Sequence, residues 1–350
     1  IRDRNIAEEP FIKKHLKWMN MFKVRFSYGK VGNDKLGERF PYLYTIAKSY
    51  KENDKDVTFP GWNWGDYGYG NSYDGMAYTQ LASENVTWEI ATKHDIGVDL
   101  SLFNDKFTAT VDYFHEQRDG IYMERKYLPG IVGIVRSNPK ANVGSVRSQG
   151  FDGHFAYKQK INRVNLTVRG NFTYSKNEIL EKDEENTVYP YQTEAGYRVN
   201  QAKGLIALGL FKDYDDIRNS PKQSWGDVMP GDIKYRDVNG DGKINSKDQV
   251  MISQYGNVPR IQYGIGLDMT YKSFDFGMFF NGSAQRTIMV SGIMPFRGDA
   301  STGDRNVMQF IANDYWSEAN PNPDAKFPRL GITDSQVANN SVNSTYWMHN

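Results

Sequence analysis

The residues best suited to chemistry in this chain lie in one short stretch, DVNGDGKINSKD, from Asp237 to Asp248. A calcium loop of this length presents oxygen ligands at its first, third, fifth, seventh, ninth and twelfth positions, with glycine at the sixth for the sharp turn. Asp237, Asn239 and Asp241 fill the first three ligand positions and Gly242 takes the turn. The carbonyl of Lys243, the side chain of Asn245 and the carboxylate of Asp248 complete the pattern. An all-oxygen set carrying three carboxylates favours Ca2+ over softer metals. The closing residue is Asp where Glu is usual, so its reach is shorter. The loop reads as a structural brace, with an affinity on the order of 10⁻⁴ to 10⁻³ M if it behaves as extracellular modules do. The alternative is an Asx/Gly-rich turn that needs no ion.

Other chemistry is thin, and no enzyme is expected. The five histidines, His15, His94, His115, His154 and His349, show no metal-ligand spacing. There is no HExxH, GxSxG or P-loop, and GIGLDM carries only two of the glycines of a dinucleotide fingerprint. Cysteine is absent, which excludes disulfides, thiolate nucleophiles and cysteine zinc sites. Lys plus Arg number 43 against 42 Asp plus Glu, so charge gives a nucleic-acid partner no support.

The elements that must position the loop follow a period of two. In MFKVRFSYG, Phe22, Val24, Phe26 and Tyr28 share a face opposite Lys23, Arg25 and Ser27. The same alternation runs through HDIGVDLSLF, KFTATVDYF, FDGHFAYK, VNLTVRGNFTY and IQYGIGLDMTY, and FDFGMFF follows the last after Lys272-Ser273. Asn104-Asp105 marks a hairpin turn between the HDIGVDLSLF and KFTATVDYF runs. Several runs last long enough to cross a bilayer at a tilt, which takes roughly nine to eleven residues. A mean hydropathy of −0.67 is compatible with this, because a membrane barrel alternates lipid-facing and lumen-facing residues. Aromatics reach 14 %, which suits interfacial girdles. A large soluble antiparallel sheet with one wet face fits the same pattern.

Long polar segments, 32–82, 118–149, 177–259 and 282–350, alternate with the tight turns, as long external loops on one rim would. FPGWNWGDYGYGNSYDG, Phe59 to Gly75, concentrates aromatic rings among glycines and polar residues.

Several stretches, in order, resemble the SusC/RagA family of TonB-dependent outer-membrane transporters of the Bacteroidetes. They are FKVRFSYGKVGND, WEIATKHDIGVDLSLFNDKFTATVDYF, ANVGSVRSQGFDGHF, PGDIKYRDVNGDGKINSKDQ and YWSEANPNPDAKFPRL. The resemblance spans nearly the whole chain. It implies an all-β fold: residues 1–350 as an internal section of one transmembrane β-barrel domain, twenty-two-stranded in the family. The plug, early strands and last strands would lie outside it, and 232–249 would fall in an extracellular loop. It also implies nutrient import, of oligosaccharide or peptide, with a SusD-like surface lipoprotein as lid and the TonB complex acting through the plug. Outer-membrane lipid would surround the barrel. Sugar rings would then stack on Trp62, Trp64, Tyr67, Tyr69 and Tyr73 of the aromatic loop. The competing expectation is a secreted, calcium-braced β-rich binding or adhesion protein, which would be soluble and lack a lipid-facing stripe.

Overall fold

The computed structural model describes residues 2–37, 40–52, 55–58, 62–64, 71–73, 75–126, 138–184, 189–290, 307–331 and 333–349. Eight strands form one sheet: β1 (Arg2–Asn5), β2 (Met19–Asn33), β3 (Glu89–Leu102), β4 (Phe107–Glu124), β5 (Lys140–Ile161), β6 (Val164–Glu181), β7 (Ile261–Tyr271) and β8 (Phe274–Ala284). They lie side by side in chain order. The pairs from β1 to β6 are antiparallel. Gly264 approaches Gly170 and Asn171 while Gly266 approaches Arg169, so β7 runs against β6 as well. Every alternating run read from the sequence falls on one of these strands, with only the end residues Phe103 and Lys106 lying in the turn between β3 and β4.

Tight connections occur at one end of the sheet. Phe103, Asn104 and Asp105 all take positive φ (58°, 56° and 60°) between β3 and β4, while Asn162 (54°) and Lys272 (53°) turn the next two hairpins. The long connections leave from the other end. There the strands outrun the sequence expectation: β4 continues to Glu124 and β5 begins at Lys140, inside the segment 118–149 expected to be loop. Gln117, Arg118 and Asp119 are polar on both faces, so the signal of alternation fades although the ladder of hydrogen bonds continues.

The register assigns the two faces row by row. Phe26, Ile96, Tyr113, Phe151 and Tyr174 stand in one row across β2 to β6, and Val24, Val98, Val111, Gly153 and Phe172 in another. The apolar positions of β6 run from Val164 to Tyr174 and give way to Lys176. Ten residues span about 33 Å at ~3.3 Å per residue, or about 25 Å of height at a barrel tilt of ~40°. That is the height of an outer-membrane apolar band. Ile96, Phe151, Tyr263 and Ile265 on this face are each about half exposed. Among the described residues no helix is long and apolar enough to cross a membrane, which leaves strands as the spanning elements.

The chain divides into two compact units. The first, 1–186 with 194–197 and 263–280, contains the bulk of the sheet. The second, 187–193 with 198–262 and 281–350, has short ladders, brief helices and a core of its own. Leu205, Ile233, Tyr235, Ile244, Ile311 and Trp347 are almost fully enclosed there.

Candidate metal loop and charged inner face

The loop from Asp237 to Asp248 belongs to the second unit, and its shape comes from its own side chains. The carboxylate of Asp237 accepts the N–H groups of Gly240 (2.7 Å) and Gly242 (2.8 Å). Asn239 Oδ1 accepts from Asp241 N (3.0 Å), Asp241 Oδ1 from Lys243 N (2.9 Å), and Asn245 Oδ1 from Lys247 N (2.8 Å). Gly240 (φ 73°) and Gly242 (φ 78°) take the left-handed backbone that the turn demands and that a side chain would oppose. Ile244 is fully buried and anchors the loop by a short parallel pairing of Lys243-Ile244 with Lys222-Gln223.

Asp248 is also fully buried. Its Oδ1 accepts from Val238 N (2.9 Å) and its Oδ2 from Asn245 N (2.8 Å), so it draws the two ends of the loop together. Tyr191 and Gln192 clamp the outside, donating to the carbonyls of Lys247 (2.8 Å) and Ser246 (2.9 Å). Burial pushes the Tyr191 phenol above its ordinary pKa, and the charges of Asp248, Asp237 and Asp241 push the same way. Among the described residues no three or more Asp, Glu or His side chains converge by themselves into a metal cluster. An ion here would rest on a mixed set with the Asn239 and Asn245 amide oxygens and the Lys243 carbonyl. The donor chemistry fits a hard cation.

A buried polar network supports the loop's unit, and nothing in the sequence reading singled it out. Asp232, fully buried, pairs with the Arg329 guanidinium at 3.1 and 3.0 Å and accepts from Asn340 Nδ2 (2.8 Å) and Met229 N (2.8 Å). Burial pushes the Asp232 carboxyl upward, while Arg329 pulls it back. Gln223 Nε2 donates to Asn339 Oδ1 (2.6 Å), and the Tyr235 hydroxyl donates to the Asn339 carbonyl (2.7 Å). These bonds tie segments about a hundred residues apart in sequence. The only prior signal was that Asp232 and Arg329 lie in the two resemblance stretches beginning PGDIKY and ending PRL.

The inner face of the sheet carries a second arrangement of charge. Arg25 on β2 bonds Asp99 on β3 (2.9 Å) and reaches Asp112 on β4 (2.8 Å). It crosses above Gly97, which stands between Arg25 and Asp112 in the register. A Cβ on Gly97 would lie 2.7 Å from the Arg25 guanidinium carbon, so the crossing needs glycine. Further along, Lys93 pairs with Glu116 (3.0 Å), Arg118 with the same Glu116 (3.0 Å), and Arg169 with Asp268 (3.0 Å). One face is thus apolar over a membrane's thickness and the other is laced with ion pairs. Such a sheet separates lipid from an aqueous interior.

Comparison with known proteins agrees with this division. The family described as "TonB dependent receptor-like, beta-barrel" matches residues 16–322. The chain belongs to that family. The family's barrels reside in the bacterial outer membrane, and the apolar band described above is this chain's lipid-facing surface. TonB-dependent receptor P3 of Formosa agariphila is 23 % identical over 97 % of this chain and 32 % of its own length. TonB-dependent receptor SusC of Bacteroides thetaiotaomicron is 22 % identical over 79 % of this chain and 26 % of its own. The chain therefore spans about a third or less of these relatives. Among solved structures, the RagAB peptide transporter superposes with a TM-score of 0.64 at 17 % identity, covering 99 % of this chain and 34 % of that one. That likeness is one of fold.

The loop aromatics are placed in part. Trp62–Trp64 and Asn71–Tyr73 form a small antiparallel ladder with Trp62 opposite Tyr73. Tyr67 and Tyr69 lie outside the described residues.

Proposed function

We propose that this chain is the barrel wall of a TonB-dependent importer that takes up a nutrient, oligosaccharide or peptide, across the outer membrane. The observation that carries this is the two-faced sheet. An ion-paired inner face bounded by Arg25, Asp99, Asp112, Lys93 and Glu116 suits a wet passage, whereas an adhesion sheet has no use for an outward apolar band of bilayer height. A SusD-like surface lipoprotein is the proposed partner on the long-loop side, and the TonB complex would act through a plug. Trp62, Trp64, Tyr67, Tyr69 and Tyr73 are the proposed platform for sugar rings. The experiment is extraction of the intact transporter from its native outer membrane in mild detergent, with its companions and cargo identified by mass spectrometry. A lipidated SusD-like companion, with loss of uptake of one oligosaccharide or peptide class on gene deletion, is the expected result. Recovery of this chain from the soluble secreted fraction would overturn the proposal.

We further propose that the Asp237–Asp248 loop holds one Ca2+ through Asp237, Asn239, Asp241, the Lys243 carbonyl, Asn245 and Asp248. The ion would fix a turn that the loop's hydrogen bonds already outline. Stabilisation at millimolar calcium would be about 1 kcal/mol, from a weak dissociation constant. Metal analysis of the intact transporter, with hydrogen exchange across 237–248 before and after chelation, tests it. Unchanged protection and no bound calcium would remove the ion from the site.

A further inference from the structure

Among the described residues, the tight-turn end of the sheet carries cations outside any ion pair, set beside exposed apolar side chains, most of them aromatic. The connection from β1 to β2 carries the helix Pro10–His15 and then Leu16-Lys17-Trp18, which presents exposed Lys13, Lys14 and Lys17. Trp18 is 43 % exposed and stacks on Phe103 of the next turn, 52 % exposed, with ring centroids 5.6 Å apart. Phe103 N also donates to the Trp18 carbonyl (2.7 Å), which ties these two connections together, and Lys158 N of β5 donates to the Lys106 carbonyl (2.7 Å). The other turns place a cation beside an exposed apolar side chain as well: Lys106 follows Phe103, Lys272 lies between Tyr271 and Phe274, which are 44 % and 78 % exposed, and Arg163 follows the aliphatic Ile161, 55 % exposed.

Among the described residues none of these six cations is in an ion pair. The carboxylates at this end are few. Glu8 and Glu9 precede the helix, Asp105 accepts from the Ser101 hydroxyl, and Asp275 shares the inner-face parity of Phe279, which packs against Gly264 and Gly266. The rim is therefore a cationic collar directly continuous with the lipid-facing band.

We propose that this collar binds the headgroups of anionic phospholipids in the leaflet at the tight-turn end. The inference rests on the membrane-spanning assignment of the sheet and adds a lipid preference to it. Short turns of such barrels face the periplasm, and the leaflet there presents phosphate at the depth where amphipathic rings settle. Aromatic residues anchor the edge of the band, and each nearby Lys or Arg adds electrostatic attraction to an anionic surface. A cation without a carboxylate partner, next to a ring already at the boundary as Lys272 is over Tyr271 (5.4 Å to the ring centre), meets a lipid phosphate without leaving the rim. Lys158 and Lys160 supply an internal contrast. They share the inner-face parity of His154, opposite Thr167 and Asn165, and face away from lipid.

The test is made on the full-length transporter, assembled in the outer membrane and exchanged into nanodiscs mixing phosphatidylethanolamine with phosphatidylglycerol. Native mass spectrometry counts the lipids retained. The wild type is expected to keep phosphatidylglycerol preferentially, and Lys13→Glu/Lys14→Glu/Lys17→Glu to lose that preference at least about tenfold. Lys106→Gln/Arg163→Gln/Lys272→Gln, which leaves the helix intact, is expected to weaken it in the same direction should the first variant fail to assemble. Lys158→Glu/Lys160→Glu is expected to leave it unchanged. Equal retention of both lipids by the wild type, or an equal loss in the inner-face pair, would overturn the proposal. Failure of the wild type to retain any lipid would overturn the membrane assignment beneath it.

Discussion

The two units solve opposite solvent problems with the same amino acids. In the second unit Leu205, Ile233 and Ile244 are wholly buried, and Asp237, Asn239 and Asp241 stay near the surface in a turn. In the sheet Phe274, Phe276 and Phe280 of β8 stand more than half exposed. There it is the charged groups, Arg25 with Asp99 and Asp112, that find partners on the inner face. The second unit is held by apolar burial, with the Asp232–Arg329 ion pair buried beside it. The sheet is held by its backbone ladder, and its apolar side chains are turned toward lipid. The same phenylalanine is therefore a liability in one solvent and an anchor in the other.

The sharpest way to break the comparison is to remove the ion pair inside the apolar core. Asp232→Ala leaves Arg329, only 12 % exposed, without its carboxylate. Breaking such a pair from one side costs about 3–5 kcal/mol. Hydrogen exchange on the intact transporter should show lost protection around 205–210, 231–235 and 339–347, with the amides of β3 to β6 unchanged. Loss spread evenly over both units would show that they do not melt separately.

The reverse intrusion is a charge on the apolar face. Val111→Arg lies in the middle row of the outward band, opposite Val98 and Gly153. A charge at that depth costs about 2–4 kcal/mol in a membrane barrel. The expected result is a lower denaturant midpoint in lipid vesicles and reduced outer-membrane assembly, with little effect from the same change at an outward position beyond the band, such as Gln117→Arg. Equal effects at the two positions would place the band elsewhere.

A smaller change sharpens the inner face. Gly97→Val puts a side chain where Arg25 crosses to Asp112, and overpacking of this kind costs about 1–3 kcal/mol. The expected signature is a transporter that assembles but melts lower, with Gly97→Ala falling between it and the wild type. A neutral valine would mean that the guanidinium has another route.

The mildest perturbation alters no residue. Burial pushes the Tyr346 phenol to about 12 from an ordinary 10.0. Its neutral hydroxyl donates to the Lys326 carbonyl (3.0 Å). A raised phenol contributes stability that is complete below pH 10 and is lost as the pH climbs toward 12. Buried Tyr235 is shifted in the same direction. The second unit should therefore soften over that window before the sheet's ladder opens. Tyr346→Phe should flatten the dependence.

The sequence by itself determined the strands that cross the bilayer and the faces they present. Alternation is a local property: Phe22, Val24 and Phe26 fall on one side of any strand, whatever pairs with it. The turn chemistry of Asn104-Asp105 and the oxygen spacing from Asp237 to Asp248 were legible for the same reason, since each is written within a few residues. The extent of β4 and β5 beyond the band was not, because polar residues on both faces carry no period. Only the tertiary structure decided the rest. Asp232 meets Arg329, and Gln223 meets Asn339, across about a hundred residues of chain. Arg25 finds Asp112 only through the register of three strands, over a glycine that looks in the sequence like any other. The cations of the tight-turn rim lie in four separate segments, from Lys13 to Lys272, and become one surface only when the sheet brings its turns to the same end. Pairings of this kind depend on which distant segments come into register, and no local pattern of residues encodes that.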